Sequence, residues 1–304
     1  MFQSKQIHPT TNTRQGYFPS KYFVDFLKFV RRNSSLIQII TYNDLPWDGD
    51  NNYKENYPDE FQNWQRMLRE RELDPDKIYL LLQHDVDSYP ELTLAILREE
   101  ELLGIPSNVM IFNRAIDRNA LQKKGEIKLL DYHLDYPYLK SLQDQARFVF
   151  GYHCNAYGQA RFDMVEATRI FEEDIAELRR HLDIHFFSPH GGVKDQKGLS
   201  NYAMSVPESL ESSLKWVHNR YTVRFNGYYS DGALNSDRNP SDLDLRKFVG
   251  TWRRGNRYRV LTHPQYYHTE WIHAPRLQGA DWYEEVLNHY ANQQHESIWE
   301  TISL

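Results

Sequence analysis

The stretch "LLLQHDVDSY" at residues 80–89 decides the fold class. It continues an apolar run, "KIYLLLQHD" at 77–85, which is typical of a strand buried on both faces of a parallel sheet. Two carboxylates, Asp85 and Asp87, follow where this run ends. Burying charge costs free energy unless the charge is paired, so we expect this strand end to have a function.

Further segments with strand and helix patterns alternate on both sides of this run. Predicted strands are 36–42, 106–112, 147–153, 183–190, 221–231 and 257–264. Predicted helices are 21–32, 58–72, 91–104, 138–146 and 164–182. Gly104 is expected to end one helix, and Asp163, with Glu166 three positions on, is expected to cap another.

Alternating strands and helices indicate a parallel α/β architecture, and both an open doubly wound sheet and a closed barrel fit the pattern. The chain has 304 residues and no repeat or low-complexity linker. We therefore predict a single domain over 1–304, with residues 1–75 as an N-terminal extension packed on it.

The composition narrows the class of protein. Basic residues number 36 against 42 acidic ones, a balance that does not favour nucleic acid as a partner. The single cysteine, Cys154, excludes an internal disulfide. Neither a secretory signal nor a membrane-spanning apolar segment is evident, so a cytoplasmic location is expected. Aromatic residues reach 14%, which fits either sugar-stacking surfaces or core filling.

Polar side chains of catalytic type follow five of the predicted strands. Taken singly, a histidine here fits an ordinary loop role and an aspartate fits a turn. The carboxyl ends of parallel strands meet at one edge, however, so five such ends together indicate one site. The segments are "HDVD" (84–87), "GYH" (151–153), "SPHGG" (188–192), "YYSDG" (228–232) and "LTHP" (261–264).

The spacing of the first motif favours a metal. Asp85 and Asp87 lie two residues apart, so strand alternation directs them to the same side and directs His84 to the other. Two carboxylates on one side repel unless a cation or a proton is shared between them. An aspartate with two histidines is a common catalytic zinc set, so we predict a divalent ion, with Zn²⁺ favoured.

In these motifs and their order the chain resembles the polysaccharide deacetylase family (carbohydrate esterase family 4, NodB-like domain). More specifically, it is similar to a divergent branch with "HDVD" in place of "TFDDG". The resemblance runs from about Lys77 to about Tyr267. It implies a distorted (β/α) barrel of about seven strands. It also implies metal-dependent removal of an N- or O-linked acetyl group from a sugar.

The resemblance implies roles for four residues. Asp85 would be the catalytic base, Asp87 and His153 would bind the metal, and His263 would be the catalytic acid. Val86 separates two acids that are adjacent in the family, so the roles of Asp85 and Asp87 could be exchanged.

Two further positions depart from the family pattern. Tyr157 stands where the second metal-binding histidine is usual, and Phe187 stands where an arginine usually steadies the base. We predict His190 as the replacement ligand because it also ends a strand. Weaker candidates are Cys154, Tyr157, His185 and His133.

Two secondary roles complete the predicted site. Asp231 would orient His263 or Asp85, although it also fits a turn aspartate beside Gly232. A backbone N–H near His190 and Gly191 would stabilise the oxyanion.

These observations predict a metal-dependent deacetylase acting on a sugar or glycan precursor, such as a nucleotide-linked or lipid-linked sugar. One alternative is a degenerate relative that binds a glycan or nucleotide-sugar without catalysis. Another is a metal-dependent amidohydrolase acting on a small C–N substrate. A purely structural interaction protein explains least, because it leaves the five strand ends as coincidence.

Overall fold

Eight parallel strands form the central sheet of the computed structural model, which describes residues 18–47, 58–88, 90–191, 200–217, 225–232, 245–268 and 304. The strands are β2 (Ile37–Ile40), β3 (Ile78–Val86), β4 (Asn108–Ile111), β5 (Val149–Cys154), β6 (Phe186–Pro189), β7 (Lys215–Trp216), β8 (Gly227–Ser230) and β9 (Arg257–Thr262). Two short strands, β1 (Phe18–Pro19) and β10 (Tyr267–His268), pair separately.

Helices connect the strands and cover the sheet. They are α1 (Ser20–Arg32), α2 (Pro58–Arg69), α3 (Pro90–Leu103), α4 (Arg118–Lys124), α5 (Tyr136–Ala146), α6 (Ala156–Gln159), α7 (Met164–Leu178) and α8 (Leu245–Val249). None of the helices in the described ranges is both long and apolar enough to cross a bilayer.

Helix ends follow the local signals in the sequence. The side chain of Asp163 accepts a hydrogen bond from the Glu166 N–H, as the predicted cap requires. Asp135 caps α5 in the same way, with Pro137 in its first turn. Gly104 follows α3 with a φ of 65°, a left-handed conformation that glycine adopts without strain.

The strand order is β7-β6-β5-β4-β3-β9-β8, and every pairing in it is parallel. β2 pairs with Ile78–Leu81 of β3, below the part of β3 that β4 occupies. This path of seven parallel strands with surrounding helices confirms the predicted distorted (β/α) barrel of about seven strands. The alternative of a flat doubly wound sheet does not hold.

The curvature of the sheet is evident from one contact across its interior. Five strand spacings separate β7 from β9, about 24 Å in a flat sheet. The Arg259 Nη1 atom of β9 nevertheless lies 3.4 Å from the carbonyl oxygen of Val217, the residue after β7. The sheet therefore curls, and its inner face becomes the interior of an open barrel.

Alternation along β3 assigns its residues to two different cores. Leu80 and Leu82 pack outward with α1 residues such as Phe26. Tyr79 and Leu81 pack inward with Trp64 and other aromatic residues. All nine residues of β3 are buried, as the apolar run predicts.

Several elements differ from the predicted ones. The strand predicted over 221–231 is observed at Gly227–Ser230, and residues 221–224 lie outside the described residues. The two-residue strand β7 and the helices α4, α6 and α8 carry no periodic pattern long enough for prediction. The division into one domain with an extension at 1–75 stays a prediction, since 1–17 and 48–57 are not described.

His84, on the outer face of β3, belongs to a buried polar network. Its Nδ1 lies 2.6 Å from Thr262 Oγ1 and its Nε2 lies 2.9 Å from Glu100 Oε1. Ser107 Oγ donates to the other Glu100 oxygen at 2.6 Å. The imidazole thus connects β3 to β9 and to α3 in a region without water-accessible surface.

We expect His84→Ala to destabilise the fold by about 3 kcal/mol, because the buried Glu100 carboxylate loses its hydrogen bond to the imidazole. The measurement is the urea midpoint and the melting temperature. His133→Ala is the control, since this side chain is 90% exposed and its ion pair with Asp131 lies on the surface, and the substitution should change stability by less than about 0.5 kcal/mol. Equal stability of the two variants would contradict the assigned role of His84.

Candidate metal centre and acid–base pair

The predicted site residues meet at the carboxyl ends of the strands. Asp85 and Asp87 come from the end of β3, His153 from β5, and His190 from the residue after β6. Asp231 follows β8 and His263 follows β9. Because the strands are parallel and the sheet is curled, all six side chains reach the open end of the barrel at the carboxyl ends of the strands, which we call the mouth.

Three ligand-type atoms form a nearly equilateral triangle at this mouth. His153 Nε2 lies 3.1 Å from Asp87 Oδ1 and 3.1 Å from His190 Nδ1. His190 Nδ1 lies 3.2 Å from the same Asp87 oxygen. Asp87, His153 and His190 could therefore hold a metal ion.

The donor set and its dimensions fit a divalent ion. Ligand atoms that each lie about 2.1 Å from one ion are separated by roughly 3.0–3.4 Å in octahedral or tetrahedral geometry. The three observed edges fall in this interval. Two imidazoles and one carboxylate suit zinc and related transition metals better than Mg²⁺ or Ca²⁺.

Outer contacts hold the two imidazoles in place. His153 Nδ1 lies 3.0 Å from Ser188 Oγ, which directs Nε2 of the same ring into the triangle. Phe112 stacks on the His153 ring with centroids 5.0 Å apart. The His190 backbone N–H donates to the Cys154 carbonyl at 2.8 Å, so the backbone that carries this ligand is fixed as well.

The electrostatics of the triangle favour a carboxylate beside the histidines. Burial alone raises the pKa of Asp87, but the charge of His190 and the hydrogen bonds to His153 and His190 outweigh it, and the pKa lies well below its usual value. Burial lowers the pKa of His153, but the charge of Asp85 and the hydrogen bond to Asp87 raise it overall. Asp87 is thus ionised, as a metal ligand must be, while protons on the two imidazoles would compete with a metal ion.

His263 and Asp231 form a second unit beside the triangle. His263 Nδ1 lies 2.5 Å from Asp231 Oδ1, and the His263 backbone N–H donates to Asp231 Oδ2 at 2.7 Å. Its Nε2 faces the triangle, 4.0 Å from Asp87 Oδ2. Burial lowers the pKa of His263, but the Asp231 charge and hydrogen bond outweigh it and raise the pKa to about 10.

Asp85 lies next to the triangle without belonging to it. Its Oδ2 is 3.9 Å from His153 Nε2, and its Oδ1 accepts a hydrogen bond from Gln83 Nε2 at 2.7 Å. The shorter contacts of Asp87 support Asp87 as the ligand and Asp85 as the free carboxylate.

The weaker candidates lie elsewhere. Cys154 and Tyr157 are buried in the outer core, where burial raises the pKa of the Cys154 thiol to about 12. His185 precedes β6 and lines a cavity of about 590 Å³ at the opposite end of the strands. His133 is exposed and pairs with Asp131 at 2.6 Å.

Phe187 cannot take the place of an arginine beside the base. It points outward, where its ring packs against Phe171 and Trp216. Sequence reasoning did not identify Gln83, Ser188 or Phe112 as parts of the site. Strand alternation places Gln83 on the same face as Asp85, so the sequence could have identified Gln83 as part of the site.

Comparisons with known proteins add one similar structure. No family model matches the chain, and no curated protein matches it. A solved structure of peptidoglycan deacetylase PdaC from Bacillus subtilis, in a substituted form, is 16% identical and has a TM-score of 0.37. The match covers 72% of this chain and 96% of that chain.

We expect the purified protein to bind about one divalent ion per chain, as a three-ligand site implies. Asp87→Ala and His153→Ala should abolish binding, measured by titration calorimetry with Zn²⁺ and by elemental analysis. His133→Ala is the matched control because the His133 side chain is 90% exposed. The absence of a bound ion in protein that was never exposed to a chelator would contradict the proposed metal site.

Ser188→Ala should weaken metal binding by about 10–100-fold, because its hydroxyl orients His153 without touching the triangle. The affinity for Zn²⁺ is measured by competition with a chelator of known affinity. Unchanged affinity would mean that the Ser188 carbonyl oxygen, 3.3 Å from His153 Nδ1, and the packing of Phe112 hold the ring without the hydroxyl.

Proposed function

We propose that this chain is a metal-dependent hydrolase that removes an N- or O-linked acetyl group from a sugar or glycan precursor. The observation that carries the proposal is the juxtaposition of three kinds of group. A free carboxylate, Asp85, and a His–Asp pair, His263 with Asp231, each come within about 4 Å of a candidate metal triangle. Metal-dependent hydrolysis of an acetyl group uses this combination of functions.

Asp87, His153 and His190 would hold the metal, with Zn²⁺ as the expected ion. A divalent ion there would lower the pKa of water and polarise an acyl oxygen. Asp87 and His190, whose side chains are 21% and 13% exposed, keep this position accessible from the mouth.

Asp85 is proposed as the general base. Gln83 occupies its Oδ1, so Oδ2, on the side of the triangle, is the oxygen that takes the proton from the attacking water. This assignment keeps the base close to the metal ligands without making it one of them.

His263 is proposed as the general acid. Asp231 engages Nδ1 and keeps the imidazole charged, so Nε2 can donate a proton to the departing amine or alkoxide. Water gives one proton to Asp85 and its hydroxyl to the acetyl group, and His263 gives one proton to the leaving group. The atoms and charges of the hydrolysis are thereby accounted for.

The oxyanion requires a donor at the same mouth. A backbone N–H near His190 and Gly191 is predicted for this role, and the His190 N–H already donates to the Cys154 carbonyl. The Gly191 N–H is therefore the proposed protein donor.

The proposal is tested by acetate release. The metal-loaded protein is incubated with N- and O-acetylated sugars, both free and nucleotide-linked, and with small amides. Acetate from sugars supports the proposal, and turnover of small amides alone favours the amidohydrolase. Binding of sugars without acetate release favours the non-catalytic relative, which the presence of both acid and base around the triangle disfavours.

His263→Ala should retain the metal and lose about 10²–10⁴-fold in the rate of acetate release from sugars. The loss should be much smaller with 4-nitrophenyl acetate, whose leaving group needs no proton. The rate of acetate release by Asp231→Asn should fall between those of the wild type and His263→Ala. The rate for His133→Ala should match that of the wild type. Equal losses with both substrates would argue against an acid role.

A further inference from the structure

A set of polar side chains lies directly beneath Asp85 in the barrel interior. Gln83, two residues earlier on β3, donates to Asp85 Oδ1 through Nε2 at 2.7 Å. Its Oε1 accepts from Tyr42 OH at 2.5 Å and faces Arg259 Nη1 at 3.4 Å. Arg259 Nη1 also lies 3.2 Å from Tyr42 OH. We call Tyr42, Gln83 and Arg259 the inner column.

The chemistry of the inner column permits one orientation of the Gln83 amide. A guanidinium can only donate, so it requires the Gln83 oxygen on its side. A carboxylate can only accept, so Asp85 requires the Gln83 nitrogen. Turning the amide over would set NH₂ against donors and oxygen against Asp85, so Arg259 determines which end of Gln83 faces the base.

The members of the inner column are themselves immobilised. The Tyr42 backbone N–H donates to Asn108 Oδ1 at 2.8 Å, and Trp47 Nε1 donates to the Tyr42 carbonyl at 2.5 Å. The Arg259 guanidinium lies 4.6 Å from the Tyr228 ring centroid and 5.6 Å from that of Phe225, within cation–π distance.

Burial makes Arg259 costly for the fold. The side chain is 3% exposed, and its Nε has no hydrogen-bond partner among the described residues. Among the described residues none of its hydrogen bonds goes to a carboxylate, although the charge of Asp85 acts on the guanidinium from further away. Burying a cation that has no hydrogen-bonded anion is unfavourable, so stability alone does not explain Arg259.

We propose that Gln83 is a positioning residue for Asp85, and that Arg259 and Tyr42 act through Gln83 by fixing its amide. The hydrogen bond to Oδ1 fixes the plane of the carboxylate and directs Oδ2 to the mouth. This inference rests on the proposed function in one respect, the role of Asp85 as the base.

Gln83→Met tests the proposal with little change in shape and no change in charge. A thioether at this position has about the length of the Gln83 side chain but cannot donate to Asp85. We expect metal affinity and KM to change by less than about twofold and kcat to fall by about 10–100-fold, as for a misplaced catalytic group. Gln38→Met, the same substitution at an exposed position of β2, should leave kcat unchanged.

A double-mutant cycle separates positioning from general support of the fold. Tyr42→Phe removes one donor to Gln83 and should lower kcat in the wild-type background. It should have no further effect on kcat in the Gln83→Leu background, because the link to Asp85 is already broken. Arg259→Lys, which still donates, should retain more activity than Arg259→Met. Independent, additive losses would overturn the proposal.

Crystal structures of the wild type and Gln83→Leu give a readout that does not depend on activity. We expect one carboxylate orientation of Asp85 in the wild type and a rotated or divided one in Gln83→Leu. An unmoved Asp85 with wild-type kcat overturns the inference. If the wild type releases no acetate, the proposed function fails, and the orientation of Asp85 alone then decides whether the inner column positions it.

Discussion

The parallel pairing of β3 is the constraint on which the rest of the structure depends. β3 has β2 and β4 along one edge and β9 along the other, and none of its nine residues is exposed. Each side chain must therefore find a partner on the inner or the outer face. Polar residues at its carboxyl end divide between the two faces, with Gln83 and Asp85 inside and His84 outside.

The inner face changes character along the barrel axis. At the amino ends of the strands it is mainly aromatic, with Trp64 and Tyr79 in edge-to-face contact and the buried Arg257 guanidinium 4.9 Å from the Trp64 ring centroid. One layer above, Arg259 and Gln83 are hydrogen-bonded to each other, and Asp85 follows above them. In this order the Asp85 carboxylate is hydrogen-bonded on one oxygen by Gln83 beneath it, while its other oxygen faces the mouth.

The strand-end positions of the candidate site residues are visible in the sequence, whereas the curl of the sheet that brings them together is not. Strand-end Asp and His residues are visible because each follows a local apolar run, and His190 was found this way. The curl of the sheet depends on contacts such as Arg259 with Val217, residues 42 positions apart, which no local pattern records. Phe187 stands at the position of the arginine in the family pattern. Its outward direction follows from strand alternation, since the neighbouring Phe186 packs inward. The outer partners of His84 come from α3 and β9, so only the direction of the imidazole was predictable.

The origin of Tyr42 has a practical consequence for how the chain is divided. The motifs that resemble a known family begin near Lys77, but Tyr42 and Trp64 come from earlier in the chain and fill the barrel interior. A version shortened to 77–267 would keep every strand-end Asp and His. It would lose the donor that holds Gln83 and would uncover the edge of β3 that β2 occupies. Such an edge invites pairing with other chains, so motif limits are a poor guide to where this protein can be cut.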